Sequence, residues 1–407
     1  MQAFDFIVVG AGLMGAAAAR HLAKSDASVL LLGPGEPADK RRHQGVFASH
    51  YDEARITRHL DPRPGWATVS ARAIHRYAEI EREGGESFFH EVGSLMVGPS
   101  DGDGSAYFKG AEAVGLERGL EFSVLDNQAL AANFPIFSFP DDVYALWEPR
   151  GAGYINPRGH VAAESKAAVA AGAVRVDAEV SQLEEAPEGV TVTCVNGERF
   201  QASKVVVAAG AFSRELLPQP IQMDVFARTV AFLELDDVEA ERLKAMPSLI
   251  YQPPDMSFNP YILPPVRYPD GKIYIKIGGD PDDQLLQSNA EISEWFRSDG
   301  NLEVRDFQVE QLLRFMPDLR YRSVSSASCV TSFTKTLRPL IYHQTDRIVA
   351  LTGGNGVGAK CGDELGRLGA AEALGEPAET SLFNGDFGPD GAPEPSLRSP
   401  RLEARAD

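Results

Sequence analysis

Three glycines near the N-terminus, Gly10, Gly12 and Gly15, stand in the spacing G-x-G-x-x-G. They follow the apolar run Phe6-Ile7-Val8-Val9 and precede Ala16-Ala17-Ala18-Ala19. Glycine permits a tight turn from strand to helix, lets backbone amides approach phosphates, and lets the helix pack close to the sheet. The chemistry on offer is anion binding. A dinucleotide pyrophosphate would rest on free N–H groups at the positive end of a helix that opens with Leu13 and Met14. A second β-type run, Ser28-Val29-Leu30-Leu31-Leu32, follows. The Asp or Glu expected at its end, to accept the ribose hydroxyls, is replaced by Gly33. Glu36 could reach the ribose from a longer loop, or water and backbone could serve instead. The motif alone does not separate FAD from NAD.

A second glycine-rich run lies near the other end of the chain. Gly353-Gly354-Asn355-Gly356-Val357-Gly358-Ala359-Lys360 holds four glycines in six residues and ends in a cation. Backbone bared in this way suits close approach to a ligand; the plainer alternative for Lys360 is a solvated lysine at a helix terminus. Arg55 and Arg58, with Ser49, His50 and His59, lie in the polar stretch 39–64, where exposed ion pairs are the plain reading. Lys272 and Lys276 share one face of an alternating stretch and would point outward if nothing else acted on them. Cys329, within Ser328-Cys329-Val330-Thr331, taken alone reads as a small buried apolar residue.

The elements that must position these groups follow from periodicity. Residues 66–82 read as an amphipathic helix with Trp66, Val69, Ala73, Ile74, Tyr77 and Ile80 on one side. Residues 92–97 read as a strand, 110–119 and 126–133 as helices, and 160–171 as a long helix after the turn Asn156-Pro157-Arg158. Residues 174–210 read as a β-meander closed by a buried strand. The stretches 225–232 and 250–277 suggest an antiparallel sheet with Pro and Gly turns, and 292–297 and 304–315 suggest helices beyond it. A strand at 348–352 and a helix from about 363 to 374 complete the ordered chain.

A length of 407 residues allows two or three domains, and 43% hydrophobic with 24% charged residues is an ordinary globular balance. The net charge of −19 sets nucleic acid and anionic membrane aside as partners, since both would be repelled. Cys194, Cys329 and Cys361 lie far apart and form no C-x-x-C, which suggests neither a disulfide framework nor a zinc site and fits a reducing cytoplasm. No signal peptide and no membrane-spanning apolar run is expected.

Five stretches, in order, resemble the amine-oxidising branch of the D-amino-acid-oxidase superfamily, that of monomeric sarcosine oxidase and N-methyltryptophan oxidase. They are the N-terminal glycine motif, Arg55-Ile56-Thr57-Arg58-His59, residues 204–210 ending in Gly210, Lys272-Ile273-Tyr274-Ile275-Lys276-Ile277-Gly278, and Cys329 with the glycine-rich run ending at Lys360. The resemblance reaches to about residue 374. It implies FAD and an α/β fold: a Rossmann-type FAD-binding domain (1–90, 150–220 and 325–384) with an inserted substrate domain of antiparallel β-sheet plus helices (91–149 and 221–324). Residues 385–407, rich in Pro, Gly and charge, are expected to form a flexible tail.

The resemblance also implies roles. Gly10, Gly12, Leu13, Met14, Gly15, Glu36, Ser49, His50, Gly210, Gly354, Gly356 and Gly358 would contact FAD, with Arg55 as a flavin contact or support. Cys329 would carry the flavin through a thioether; Thr331 stands where the family usually has an aromatic. Arg58 and Lys360 would grip the substrate carboxylate, each contributing a few kcal/mol at about 4 Å. Lys276 would sit near flavin N5 and stabilise the charge that develops on O2. Tyr261 would line the substrate pocket. Asp280 replaces a family histidine, and could receive a cationic group or simply pair with a nearby base. His43, His50 and His59 match no metal-ligand spacing, so no metal is expected. The implied reaction is oxidation of the C–N bond of an amino acid, a secondary N-methyl or cyclic amine, giving an imine and H2O2. The alternative is a dehydrogenase of the same fold that passes electrons to a carrier other than O2.

Overall fold

The computed structural model describes residues 2–254, 258–377, 379 and 381–394. The strand Gln2–Val9 runs through the middle of an eight-stranded sheet, parallel to Val29–Leu32 on one side and Arg199–Val207 on the other. Its apolar half is buried on both faces, as a central parallel strand requires. Phe6 and Val8 enter one core with Val29, Leu31 and Val206, while Ile7 and Val9 enter the opposite core with Leu30, Leu32, Val205 and Val207. Ile348–Thr352 pairs parallel with Arg199–Val207 at Val205 to Val207. The meander Val180–Ala186, Gly189–Cys194 continues the sheet along the earlier half of that strand. Helices Leu13–Ala23, Pro64–Gly84, Pro157–Ala170 and Gly358–Leu374 pack against one another beside this sheet.

A nine-stranded sheet forms the other layer. It includes Met223–Leu235, Ile273–Gly278, Tyr261–Arg267, Ser248–Tyr251, Ser94–Pro99 and Val143–Glu148 in that spatial order. All its pairs are antiparallel except Ser248–Tyr251 with Ser94–Pro99, so the expected antiparallel sheet is in fact mixed. Helix Leu302–Phe315 packs against Met223–Leu235. A three-stranded sheet of Arg55–Thr57, Gly153–Ile155 and Phe89–His90 carries the arginine segment.

Three differences from the sequence expectation bear on the site. Ser323–Thr334 is a long strand paired along its length with Met223–Leu235, so the expected domain boundary at 325 cuts through a strand. Its N-terminal serines carry no apolar alternation; the pairing, not the pattern, makes it β. The last helix begins at Gly358 instead of near 363, which brings Lys360 into its first turn. Asn355 enforces this by closing the glycine run on itself: its amide donates to the carbonyls of Gly353 and Arg338 and accepts from the Thr334 N–H. Finally, the expected flexible tail is packed over 385–394. Phe387 is buried in the core of the helical layer, and the Glu394 carboxylate meets Arg338 at 3.1 Å. Residues 395–407 lie outside the described residues.

Helices Leu13–Ala23 and Gly358–Leu374 touch through Gly366, where a β-carbon would stand 2.5 Å from Ala17 Cβ and 2.7 Å from backbone atoms of Met14 and Ala18. On an open helix Gly→Ala stabilises by about 1 kcal/mol, whereas overpacking fixed backbone costs about 1–3 kcal/mol, so the clash wins. Gly366→Ala is therefore expected to lower the urea midpoint; a raised midpoint would show that this contact is not close-packed.

Candidate active site

Two cavities share a wall. The larger, about 710 Å³, runs past Gly10, Gly12, Leu13 and Met14, the loop that holds Ser49 and His50, Gly210, and the glycines 354, 356 and 358. The smaller, about 280 Å³, is lined by Arg58, Lys360, Tyr107, Tyr261, Arg228 and Asp280 among others. Arg55, Cys329, Thr331, Gly356 and Ala359 line both.

In the larger cavity the glycines do what their spacing predicts. Gly10 has φ +106°, and a β-carbon there would lie 2.4 Å from the Ala208 carbonyl oxygen. Gly15 is off the cavity wall; its β-carbon would fall 1.7 Å from the Gly10 carbonyl oxygen, so it holds the helix against the turn. Gly12 faces the cavity next to His50, whose Nδ1 is buried and has no hydrogen-bond partner. Burial, with Arg158 and Arg175 nearby, lowers the His50 pKa to about 3, so the ring is neutral.

The smaller cavity is built on charge. Asp61 is fully buried and accepts two hydrogen bonds from Arg63, at 2.9 and 3.1 Å, and one from Lys360 Nζ at 3.1 Å. Arg58 Nη2 stands 3.9 Å from the same carboxylate and donates to the Tyr107 hydroxyl at 2.8 Å; its Nε is buried without a partner. Burial alone would raise the Asp61 pKa, yet Arg63, Lys360 and Arg58 hold it well below the usual carboxylate range. Burial and the neighbouring Arg58 lower Lys360 to about 8 against the pull of Asp61. Three buried cations thus face one carboxylate, with Glu148 farther out acting on Arg58. The surplus positive charge and the unpaired Arg58 Nε both suit an anionic ligand.

A second polar chain supports the shared wall. Lys276 Nζ donates to Asp52 at 2.7 Å and to the Ala54 carbonyl. Asp52 meets Arg55 Nε at 3.1 Å, and Arg55 Nη2 reaches the Cys329 sulfur at 3.3 Å. Burial lowers Lys276 to about 8 while Asp52 opposes.

Comparison with known proteins follows this geometry. The family model for FAD-dependent oxidoreductases (DAO) matches residues 5–372. The chain belongs to the FAD-dependent oxidoreductases. Among sequence relatives it is similar to N-methyl-L-tryptophan oxidase of Yersinia pestis (strain Pestoides F), with 25% identity over 93% of this chain and 97% of that protein. Among solved structures it resembles NikD, an amino acid oxidase of nikkomycin biosynthesis, with TM-score 0.76, 20% identity, and coverage of 96% of this chain and 98% of that one. It also resembles L-proline dehydrogenase from P. horikoshii, with TM-score 0.72, 15% identity, and coverage of 95% and 97%.

For an FAD-dependent oxidoreductase the larger cavity fits the cofactor by its own chemistry: bare backbone at Gly10 and Gly12 beside a helix start, and a buried ring nitrogen at His50 awaiting a partner. Ser49, Gly210, Gly354, Gly356 and Gly358 complete the wall. Besides Gly15, two expected members of the site lie elsewhere. Glu36 lines neither cavity, because Arg158 holds both its oxygens at 2.6 Å. Lys276 lines neither cavity; its ammonium is committed to Asp52, so the cation at the wall is Arg55. Lys360 lines only the smaller cavity. His59 is structural, bonded to Glu148 at 2.6 Å, and His43 meets the Val46 carbonyl. Sequence reasoning missed Asp61, Arg63, Tyr107 and Asn355. The spacing Arg58-x-x-Asp61-x-Arg63 was the available signal for the first two.

Asp61→Asn would leave Arg58, Arg63 and Lys360 facing one another without their shared counter-charge. Breaking a buried ion pair from one side costs about 3–5 kcal/mol. Chemical denaturation of the two proteins measures the loss; a change under about 1 kcal/mol would mean that the cations are held by other contacts.

Proposed function

We propose that the protein oxidises the C–N bond of an amino acid, in particular a secondary N-methyl or cyclic amine, to the imine, with O2 as electron acceptor and H2O2 as product. The observation that carries this reading is the pair Arg58 and Lys360, both backed by Asp61 and both on the wall of a cavity that meets the larger one at Arg55 and Cys329. Bound FAD supplies the two-electron acceptor for the C–H and N–H pair that the substrate loses, and O2 takes those electrons on.

The chain itself supplies position and charge. Arg58 and Lys360 bind the carboxylate and so fix where the adjoining carbon lies. Their positive field favours the neutral amine over the ammonium, and only the neutral amine has the lone pair that forms the imine. Tyr261 lies flat across Gly278, where a β-carbon would come within 2.4 Å of its ring. It lines the smaller cavity within reach of the charges of Arg55 and Asp280, and burial raises its pKa so that the hydroxyl stays protonated. Arg55 holds a fixed charge at the shared wall, kept in place by Asp52 and, behind it, Lys276. Cys329, on both cavities and against Arg55, is the residue we assign to a thioether with the cofactor.

The decisive experiment is anaerobic mixing of the holoenzyme with N-methyl amino acids, proline analogues and D-amino acids. Bleaching of the flavin absorbance, then H2O2 in equal amount on admitting air, is expected. Bleaching only by amines without a carboxylate would overturn the clamp, and flavin that stays reduced in air but is reoxidised by a dye would replace O2 by a carrier. Denaturing gel fluorescence should show flavin on the wild-type chain and none on Cys329→Ser; flavin released from the wild type by acid would remove the thioether.

The clamp has a pH signature. Lys360 is charged below about 8 in the free site and loses its proton above it. The Kd of a non-reacting carboxylate, read from the flavin spectrum, should be flat below that pH and rise by up to tenfold per unit above it. Lys360→Met should weaken binding about 10–100-fold near neutral pH and abolish the step. A step that survives in the variant would assign it to another group.

A further inference from the structure

The smaller cavity carries a carboxylate with no ion-pair partner among the described residues. Asp280 follows the strand Ile273–Gly278, turned inward by Gly279 at φ +121°. Its Oδ1 accepts the Thr229 N–H at 2.9 Å, and no other described residue bonds to it. Arg228 is the nearest cation, but it is spent elsewhere: Nη2 pairs with Asp283 at 2.7 Å and Nη1 donates to the Ala227 carbonyl at 3.0 Å. A second acceptor in this cavity, Asn259 Oδ1, is buried without a partner. Burial raises the Asp280 carboxyl to about 7, which a donor or cation beside it would reverse.

Resting on the reading above, we propose that the amino-acid substrate carries on its side chain a second polar group, a cation or hydrogen-bond donor, which Asp280 receives at the end of the cavity away from Arg58 and Lys360. The geometry orders the substrate in three parts. The carboxylate goes to Arg58 and Lys360. The reacting C–N bond goes to the wall formed by Arg55, Cys329 and Thr331, the place where the two cavities meet. Asp280 lines only the smaller cavity, and neither Arg58 nor Lys360 is among the charges acting on it, so we assign it to the side chain and not to the carboxylate. The two charged ends also answer to different neighbours. Asp280 is shifted by Arg228 and Asp283, Lys360 by Arg58, Asp61 and Arg63. A cavity of about 280 Å³ leaves room for one amino acid of moderate length.

The test uses matched pairs of N-methyl amino acids with the holoenzyme: one with a terminal ammonium, as in lysine, and its apolar isostere, as in norleucine. Steady-state turnover in air gives kcat/KM for wild type, Asp280→Asn and Asp280→Leu. Asn keeps an oxygen for the Thr229 N–H, and an unchanged flavin spectrum certifies folding. Wild type should favour the cationic member at least about tenfold. Both variants should lose about 10–100-fold on that member, mainly in KM, and change less than about threefold on the apolar one. Equal use of both members by the wild type, with Asp280→Leu unaffected, would overturn this inference and leave the oxidation reading standing. An equal fall in kcat on every substrate would also overturn it, by placing Asp280 at the reacting amine. Failure of every carboxylate-bearing amine to bleach the flavin would overturn both.

Discussion

Three buried cations on one buried carboxylate are the constraint around which this molecule is arranged. Arg58 and Arg63 come from the segment that leaves the small three-stranded sheet, and Lys360 comes from the first turn of a helix some 300 residues later. Removing such groups from water is expensive, and one carboxylate does not balance three positive charges. The arrangement persists because the fold determines each member from several sides. Tyr107 bonds Arg58, and Tyr77 donates to the Lys360 carbonyl at 3.0 Å, tying the helix Pro64–Gly84 to the helix that carries the lysine. That excess positive charge suits an anion.

The wall between the cavities is the second joint of the design. Met223–Leu235 and Ser323–Thr334 pair with Arg228 opposite Cys329, so one ladder delivers an arginine to the smaller cavity and a thiol to the wall that the two cavities share. Arg55 closes the gap from the other direction and depends on a buried relay, Lys276 to Asp52 to Arg55. A lysine on an alternating strand looks like an outward side chain or a direct participant. Lys276 is buried and lines neither cavity, because the loop before Arg55 presents Asp52 to its ammonium.

Glycine serves two purposes here. At Gly12 it leaves open space on the cavity wall, whereas at Gly10, Gly15, Gly278 and Gly366 it removes a β-carbon that a helix, a tyrosine ring or a neighbouring turn would strike. These read identically along the chain. Only the neighbours across the fold separate a binding glycine from a packing one. Among the described residues no helix is long and apolar enough to cross a membrane.

The local pattern was enough to mark the dinucleotide unit, the helix expected over 66–82, which runs Pro64–Gly84, and the central strands, because short-range periodicity decides these. The pairing of Arg58 with Lys360 was legible through resemblance, and the chain does bring them to one carboxylate. Asp61, Tyr107 and the strand around Cys329 were not legible, since each owes its place to partners 50 to 300 residues away. Glu36 and Lys276 were legible as charges but misplaced, because a long charged side chain goes to whichever counter-charge the tertiary structure brings closest. Residue type and spacing thus determined which chemistry this chain could perform; burial and long-range pairing alone decided which of its charges face the ligand.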